Sequence, residues 1–207
     1  MKNNFIFWSA SVGVFLFIIA AIIGGLQIEG YSHISQYISE SYANGLPDSQ
    51  YLRYAFILSG ICFAIFGFLM PFVLPKSRPI KVLFLLFAIF YGLGTIVTGV
   101  FPCDIGCVMD PNTFSLSQFI HNLTGFLTYL IVPFSVILLG VYCRKQQDTK
   151  KFARTSFVSG TIALVFVLVL FSNPESKFIG LFQRIIEASI LFWIMTVAFY
   201  VKKGSSR

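Results

Sequence analysis

Charged residues are scarce in this chain. Only 11% of its 207 residues are Asp, Glu, Lys or Arg, whereas a soluble domain carries about a quarter. Hydrophobic residues make up 57%, and one soluble domain of this length has no core large enough to keep them all from water. The low charge therefore excludes an ordinary soluble protein and indicates that a membrane is the solvent.

The alternating ten-residue segments that are typical of membrane β-barrels are also missing. Instead the chain has six apolar runs, each about long enough to cross a bilayer core of about 30 Å as a helix. Helices are expected because a segment in lipid must satisfy its own backbone polar groups. The runs cover residues 5–27, 51–74, 82–102, 119–142, 156–171 and 179–201. We predict an all-α, polytopic bundle of six transmembrane helices, forming a single integral membrane domain over residues 1–207.

Acidic residues are few and unevenly distributed. With six crossings, one side carries twelve basic residues and one acid, whereas the other carries three basic residues and seven acids. Basic residues favour the cytoplasmic side, so both termini are predicted to be cytoplasmic in a multi-pass protein of the cell membrane. The net charge of +7 then indicates topology and contact with anionic lipid headgroups rather than nucleic-acid binding. The first run is longer than a signal-peptide core and has no convincing cleavage site after it, so we expect a retained helix.

The first outer connection reads IEGYSHISQYISESYANGLPDSQ. We predict a short interfacial helix over residues 31–42. Its spacing places His33, Tyr37 and Glu40 on one face, with Ser39 in a neighbouring polar stripe. The alternative is a surface helix whose polar face meets only water.

The second outer connection begins FPCDIGCVMD. Cys103 and Cys107 are predicted to form a disulfide, since disulfides persist outside the cytoplasm. Gly106 would relax the tight backbone that so short a ring requires. Metal binding by the two thiols is the alternative.

The residues after this ring lead into the fourth run. Asp110, Pro111 and Asn112 predict a turn, and Ser115 or Ser117 is expected to cap the helix that follows.

Histidine is nearly absent, with only two residues in the chain. One of them lies in a loop, which argues against a haem carrier. His33 and His121 lie on the same predicted side as Glu40 and Asp104. These four are the candidate catalytic residues, as an acid–base pair or as ligands of a divalent metal, and the cofactor itself is unknown. The alternative for His121 is a packing residue with satisfied hydrogen bonds.

The sixth run contains GLFQRIIEAS, with Arg184 and Glu187 three residues apart. Ionisable groups inside a membrane are costly and usually face a bundle interior or a watery cavity. Arg184 is therefore predicted to clamp a phosphate or carboxylate, and Glu187 and Ser39 complete the candidate ligand-binding set. The alternative is a self-contained Arg–Glu pair that orients the helix.

Four stretches of the sequence, taken together, point to a family. They are YSHISQYISESYANGLP after the first run, FPCDIGC after the third, FIHNLTG in the fourth and GLFQRI in the sixth. The combination resembles the bacterial and archaeal membrane family called "domain of unknown function 998". The resemblance covers nearly the whole chain and implies six helices, but it implies no activity. It makes a shared polar site on the outer side more credible.

These observations favour one outer-facing pocket. We predict that it is lined by His33, Glu40, Asp104, His121, Arg184 and Glu187. The first functional hypothesis is an enzyme acting on a lipid or lipid-linked substrate, with Ser32 or Ser39 as candidate nucleophile. However, the sequence lacks H-E-x-x-H, G-x-S-x-G and other known catalytic spacings.

The second hypothesis is a non-catalytic protein that binds, senses or transports a lipid or small molecule. A transporter is disfavoured because the sequence shows no internal repeat and no obvious pair of broken helices. A structural partner of another membrane protein is the third alternative. Membrane lipids are the predicted partners in the first two cases.

Overall fold

The computed structural model describes residues 1–74, 77–107, 114–144 and 149–204. Every regular element in these ranges is helical, and six spans are long and apolar enough to cross a membrane. This confirms the predicted all-α architecture. The α-helices are α1 (Lys2–Leu26), α2 (Ser49–Leu69), α3 (Arg78–Phe87), α4 (Gly94–Val100), α5 (Leu116–Cys143), α6 (Lys150–Ser172) and α7 (Ile179–Gly204).

Helix α6 begins earlier than its apolar run predicts, at Lys150 rather than at residue 156. Its first turns carry Lys150, Lys151 and Arg154. Long basic side chains lay their apolar stems along a helix while their charged ends reach water. The apolar run therefore underestimates the length of α6.

The six spans form a closed ring. Each span packs against the next one along the chain, and α1 packs against α7, which closes the ring. The third span consists of α3 and α4 with a π-helical segment between them. We call the end of the ring that carries Cys103 and Cys107 the disulfide end. Helix α1 starts at the opposite end, and α7 finishes there.

The π-helical segment, Ala88–Leu93, lies in the middle of the third span. Side-chain hydroxyls bind two of its carbonyls: Thr95 donates to Tyr91 O at 2.7 Å, and Thr128 donates to Phe90 O at 2.6 Å. Tyr91 is only 1% exposed and points into the ring. Single π turns inside α-helices often occur at functional sites. Tyr91, which lies in this one, is therefore a candidate residue of such a site.

Aromatic side chains fill the ring interior on the side of the π segment away from the disulfide. Phe84 stacks on Trp193 with ring centres 6.0 Å apart, and Phe66 and Phe87 meet Trp193 edge to face. The Trp193 indole N–H donates to Ser156 Oγ at 2.8 Å. Buried aromatic rings contribute much of the packing energy of a core. Here they fill the interior of the ring on the side of the π segment away from the disulfide end.

The connection after α1, residues 27–48, is called the first connection below. It contains a 3₁₀ helix over Ile38–Tyr42, shorter than the predicted helix over residues 31–42. Side chains occupy backbone groups that a longer helix would need: Ser32 N–H donates to Gln36 Oε1 at 2.8 Å, and the Ser32 hydroxyl accepts from the backbone two and three residues later. Such local bonds compete with helix formation. His33 therefore lies in a turn instead of sharing a helix face with Glu40.

Candidate functional site

Arg184, in the second turn of α7, holds the first connection in place. One terminal nitrogen donates to Gln36 O at 2.8 Å and to Gly180 O at 3.1 Å. The other contacts Tyr31 Oη at 2.8 Å and His33 Nδ1 at 3.1 Å. These contacts occupy all four terminal N–H bonds and leave only Nε–H. Within the described ranges no carboxylate forms an ion pair with Arg184, so its positive charge is not neutralised.

The contact with Arg184 fixes the protonation of His33. A guanidinium only donates hydrogen bonds, so Nδ1 accepts and the ring proton sits on Nε2. Burial, and then the charge of Arg184, lower the pKa of His33 below its ordinary value of 6.5. The ring packs on α1 at Gly25, where a Cβ would lie 2.7 Å from His33 Nε2. Gly25 thus provides the space in which a neutral His33 sits.

Backbone groups of the first connection also dock on the start of α7. Ile38 N–H donates to Gln183 Oε1 at 2.7 Å, and Leu181 N–H donates to Ile34 O at 2.9 Å. The second bond satisfies one of the N–H groups that a helix leaves unpaired in its first turn. A Cβ at Gly180 would lie 2.8 Å from backbone atoms of the connection, so the two segments are in direct backbone contact.

Glu40 stabilises the 3₁₀ helix locally. Its carboxylate accepts from Tyr37 N–H at 2.8 Å and from Gln36 Nε2 at 3.0 Å. The first bond satisfies a backbone donor at the start of the helix, as a capping box does. Both bonds are internal to the first connection, so this carboxylate shapes the connection itself.

Cys103 and Cys107 form a disulfide with a Cα–Cα distance of 5.1 Å, which confirms the prediction. Gly106 adopts φ +80°, a left-handed conformation that glycine takes without steric cost. Ser39 Oγ lies 3.3 Å from Cys107 Sγ. A disulfide sulfur has no hydrogen, so only the serine hydroxyl can donate. Asn44 N–H donates to Cys103 O at 2.7 Å, and the disulfide loop thereby packs against the first connection.

Asp104 organises the start of α5. Its carboxylate accepts from the backbone N–H of Ser115 at 2.8 Å and from the Ser115 hydroxyl at 2.7 Å. Ser115 caps the helix by accepting from Gln118 N–H at 3.0 Å, which confirms one of the two predicted caps. The predicted turn at residues 110–112 lies outside the described ranges. Both carboxylate oxygens of Asp104 are thus used to position a helix terminus.

His121 lies one to two turns into α5 and is 8% exposed. Its Nδ1 is 3.0 Å from Phe101 O. A carbonyl only accepts, so Nδ1 carries a proton and donates it. The ring centre lies 6.2 Å from that of Tyr42. His121 is therefore anchored to the backbone through Nδ1–H.

Glu187 is buried between three spans. Tyr129 of α5 donates to Oε1 at 2.7 Å, and Tyr91 of the π segment donates to Oε2 at 2.8 Å. A carboxylate offers about four acceptor positions, so two remain. Among the described residues Glu187 has no cationic partner. Arg184 and Glu187 thus bind different groups, and the alternative of a self-contained Arg–Glu pair is not what the structure shows.

A polar cavity of about 90 Å³ lies beside Glu187. This is room for several water molecules or a small polar group. Its hydrogen-bonding lining includes Ser39, Thr95, Thr98, His121, Gln183 and Glu187. Its aromatic lining consists of Phe17, Tyr42, Phe56, Tyr91 and Tyr129. We refer to this space as the polar cavity.

A second space, of about 650 Å³, is a groove between α1 and α7. Its walls are apolar along both helices: Val14, Ile18, Ala21 and Ile22 on one side, and Ala188, Leu191, Phe192 and Met195 on the other. His33 and Arg184 line it towards the disulfide end. Phe17, Ile38 and Glu187 line both this α1–α7 groove and the polar cavity. The two spaces are therefore neighbours that share these three residues as a wall.

The structure distributes the predicted pocket residues over these two spaces. His33, Arg184 and Glu187 line the α1–α7 groove, and Ser39, His121 and Glu187 line the polar cavity. Glu40 and Asp104 line neither of them and bind nearby protein groups. Their catalytic role stays a prediction, but their hydrogen bonds are those of capping residues.

Three contributing residues were not singled out from the sequence. Gln183 adjoins Arg184 in GLFQRI. A polar amide inside an apolar run could have been recognised in the sequence as a candidate site residue. Tyr91 and Tyr129 also bring polar groups into the membrane, where a phenol needs a hydrogen-bond partner. That they share Glu187 follows only from the packing of three spans.

In the described ranges, no group of three or more His, Cys, Asp or Glu side chains is arranged so that it could hold a metal ion. His33 directs Nδ1 at Arg184, and His121 directs Nδ1 at a backbone carbonyl.

Comparison with curated proteins and with solved structures gives no match. The sequence does match a family described as "Protein of unknown function (DUF998)" over residues 11–200. The matched region includes the whole lining of the α1–α7 groove and of the polar cavity. The chain therefore belongs to the DUF998 family of membrane proteins.

Proposed function

We propose that this protein binds a phosphate-bearing membrane amphiphile, a phospholipid or a lipid-linked molecule, in the α1–α7 groove. One observation carries the proposal: the groove has apolar walls along two spans and ends at Arg184, whose charge no described carboxylate neutralises. Apolar walls suit an acyl chain, and an arginine at their end suits an anionic headgroup.

The headgroup sets the selectivity of such a site. Lipid tails are as apolar as the groove walls, so exchanging one tail for another gains little free energy. A charge in a membrane environment interacts much more strongly than it does in water. Selectivity among membrane lipids is therefore expected to follow headgroup charge rather than chain length.

Two donors of the site are not engaged by other described residues. Arg184 retains Nε–H, and His33 retains Nε2–H because its Nδ1 accepts from Arg184. Each suits a phosphate oxygen. The remaining Arg184 bonds hold the first connection over the groove end, so the same residue positions a covering segment and supplies the charge.

We place the disulfide end outside the cytoplasm, with both termini inside. The disulfide supports this orientation because such bonds persist in oxidising compartments, and so does the excess of basic residues at the opposite end. A membrane-impermeant thiol reagent applied to intact cells should label Glu29→Cys and not Arg144→Cys, relative to the unsubstituted protein. The reverse pattern would overturn the orientation.

The binding site is tested by filling the groove. Ala188 lines it and is exposed, so Ala188→Phe adds bulk without disturbing the core. Val165→Phe, on the exposed face of α6 and away from both spaces, is the matched control. Native mass spectrometry from detergent should show retained phosphatidylglycerol on the wild type and on V165F, and at least about tenfold less on A188F.

The headgroup requirement is tested in the same assay with diacylglycerol, which has the same chains but no phosphate. We expect phosphatidylglycerol to bind more tightly than diacylglycerol. Equal binding of the two lipids would contradict the role of Arg184, and unchanged binding to A188F would contradict the groove as the site.

A reaction on the lipid headgroup is the second candidate function. What favours it is Glu187, a buried carboxyl group with two phenols at the junction of groove and polar cavity. Such a group could transfer a proton to or from a bound headgroup. Incubating the protein with phospholipid and analysing released headgroups by mass spectrometry tests this, with Glu187→Gln as the control that should abolish any product.

A further inference from the structure

We infer that the headgroup is zwitterionic: its phosphate stays at Arg184 and His33, while its ammonium group enters the polar cavity and binds Glu187. This inference rests on the proposed function of the α1–α7 groove. It adds a second recognition element and a class of ligand, the aminophospholipids and related amine-bearing amphiphiles.

The first support is the unused capacity of Glu187. Its two tyrosine partners are neutral donors, and no cationic side chain pairs with it among the described residues. A buried carboxylate is stable when donors or an opposite charge satisfy it. An ammonium group supplies a positive charge and three N–H donors, two of which would fill the acceptor positions that remain on Glu187.

The second support is the aromatic lining beside this carboxylate. Five aromatic side chains line the polar cavity, and Tyr42 and Phe56 lie with ring centres 4.7 Å apart. Aromatic faces attract cations, most strongly where water is displaced. A carboxylate combined with several rings is a chemical environment suited to an ammonium group and unsuited to a second phosphate.

The third support is the relative position of the two charges. Arg184 and Glu187 are three residues apart on α7, which places their Cβ atoms about 5–6 Å apart on neighbouring positions of the helix surface. A phosphate and an ammonium separated by a few bonds can reach both. Because Glu187 lines both spaces, the proposed path of the ammonium group from the groove into the cavity passes beside its carboxyl group.

The size of the polar cavity limits what it accepts. About 90 Å³ holds a small polar group but no acyl chain, which requires the 650 Å³ groove. The two ends of the ligand therefore occupy different spaces. Its acyl chains lie between α1 and α7, and only its amine end enters the cavity.

The test changes the ligand first. Phosphatidylethanolamine, its N-acetyl derivative and its N-monomethyl derivative are compared on the wild-type protein by competition in native mass spectrometry. N-acetylation removes the positive charge, whereas N-methylation adds bulk and keeps it. Loss of a charge-assisted hydrogen bond corresponds to about tenfold or more in affinity. We expect the N-acetyl lipid to bind at least about tenfold more weakly than the other two.

A protein variant completes the test. Glu187→Gln should reduce the affinity for phosphatidylethanolamine to that of the N-acetyl lipid and leave the latter unchanged. Equal wild-type affinities for phosphatidylethanolamine and its N-acetyl derivative would overturn the zwitterion assignment, and this comparison decides the matter even if the variant does not fold. The groove proposal fails separately, when Ala188→Phe binds all of these lipids as the wild type does.

Discussion

Replacing Gly180 by alanine would press a methyl group against the backbone of the first connection. The new Cβ would lie 2.8 Å from both the C and the N atom of Gln36. Backbone atoms cannot rotate away as a side chain can, so the connection has to move. The Leu181–Ile34 backbone hydrogen bond and the Arg184 contact with Gln36 lie next to the clash and would lengthen.

The expected cost follows from three contributions. Overpacking in a tight contact costs about 1–3 kcal/mol, and weakening one backbone hydrogen bond adds about 1 kcal/mol. Alanine has a higher helix propensity than glycine, which offsets up to about 1 kcal/mol of this cost. Gly180→Ala should therefore lower the free energy of unfolding by about 1–3 kcal/mol. For a chain of this length that corresponds to a fall of roughly 2–12 °C in Tm.

Gly125→Ala is the matched control, because no atom lies within 4 Å of a Cβ at that position in α5. Thermal unfolding in detergent should show an unchanged or raised Tm for G125A and a lowered Tm for G180A. Hydrogen exchange should also accelerate in residues 31–42 of G180A alone, since the lost contacts hold that segment. An equal Tm change in both variants, or unchanged exchange in G180A, would refute the proposed docking of the first connection on α7.

Three further predictions concern the disulfide end. Ser115→Ala should destabilise the protein by about 1 kcal/mol through the lost cap of α5, whereas Thr155→Ala, which removes an exposed bond within α6, should leave Tm nearly unchanged. Cys103 and Cys107 should resist alkylation in protein purified without reductant, and full modification of both would contradict the disulfide. The folded state lowers the pKa of His33, so its neutral form stabilises the fold above pH about 6.5. This contribution is lost as the pH falls below that value. His33→Gln should therefore weaken the pH dependence of Tm between about pH 7 and 5.

The architecture was readable from the sequence because the membrane imposes it. An apolar run of bilayer length has few structural options, so the six spans followed from the positions of the apolar runs. The Cys103–Cys107 bridge and the Ser115 cap were also predictable, since each depends on residues fewer than five positions apart. The structure differs where side chains compete locally with backbone, as Ser32 and Gln36 do in the first connection.

The relations between distant residues were not readable. Glu187 meets Tyr129 and Tyr91 across 58 and 96 positions of sequence, and Arg184 meets His33 across 151. Apolar runs show that spans exist, but several neighbour arrangements and rotations satisfy the same pattern. One pocket containing all six candidate residues was therefore a reasonable expectation, although the structure divides most of them between a groove and a cavity and assigns Glu40 and Asp104 to caps.

The closure of the ring by α1 and α7 has a consequence for biosynthesis. The groove lies between α1 and α7, and α7, which carries Arg184 and Glu187, is synthesised after the other five spans. A nascent chain that has inserted five spans has no groove wall on one side, no anchor for its first connection and no partner for Tyr91 and Tyr129. If the proposed groove binds a lipid, binding can begin only after α7 has joined α1, and the bound lipid would then selectively stabilise chains with all six spans inserted over partly inserted ones.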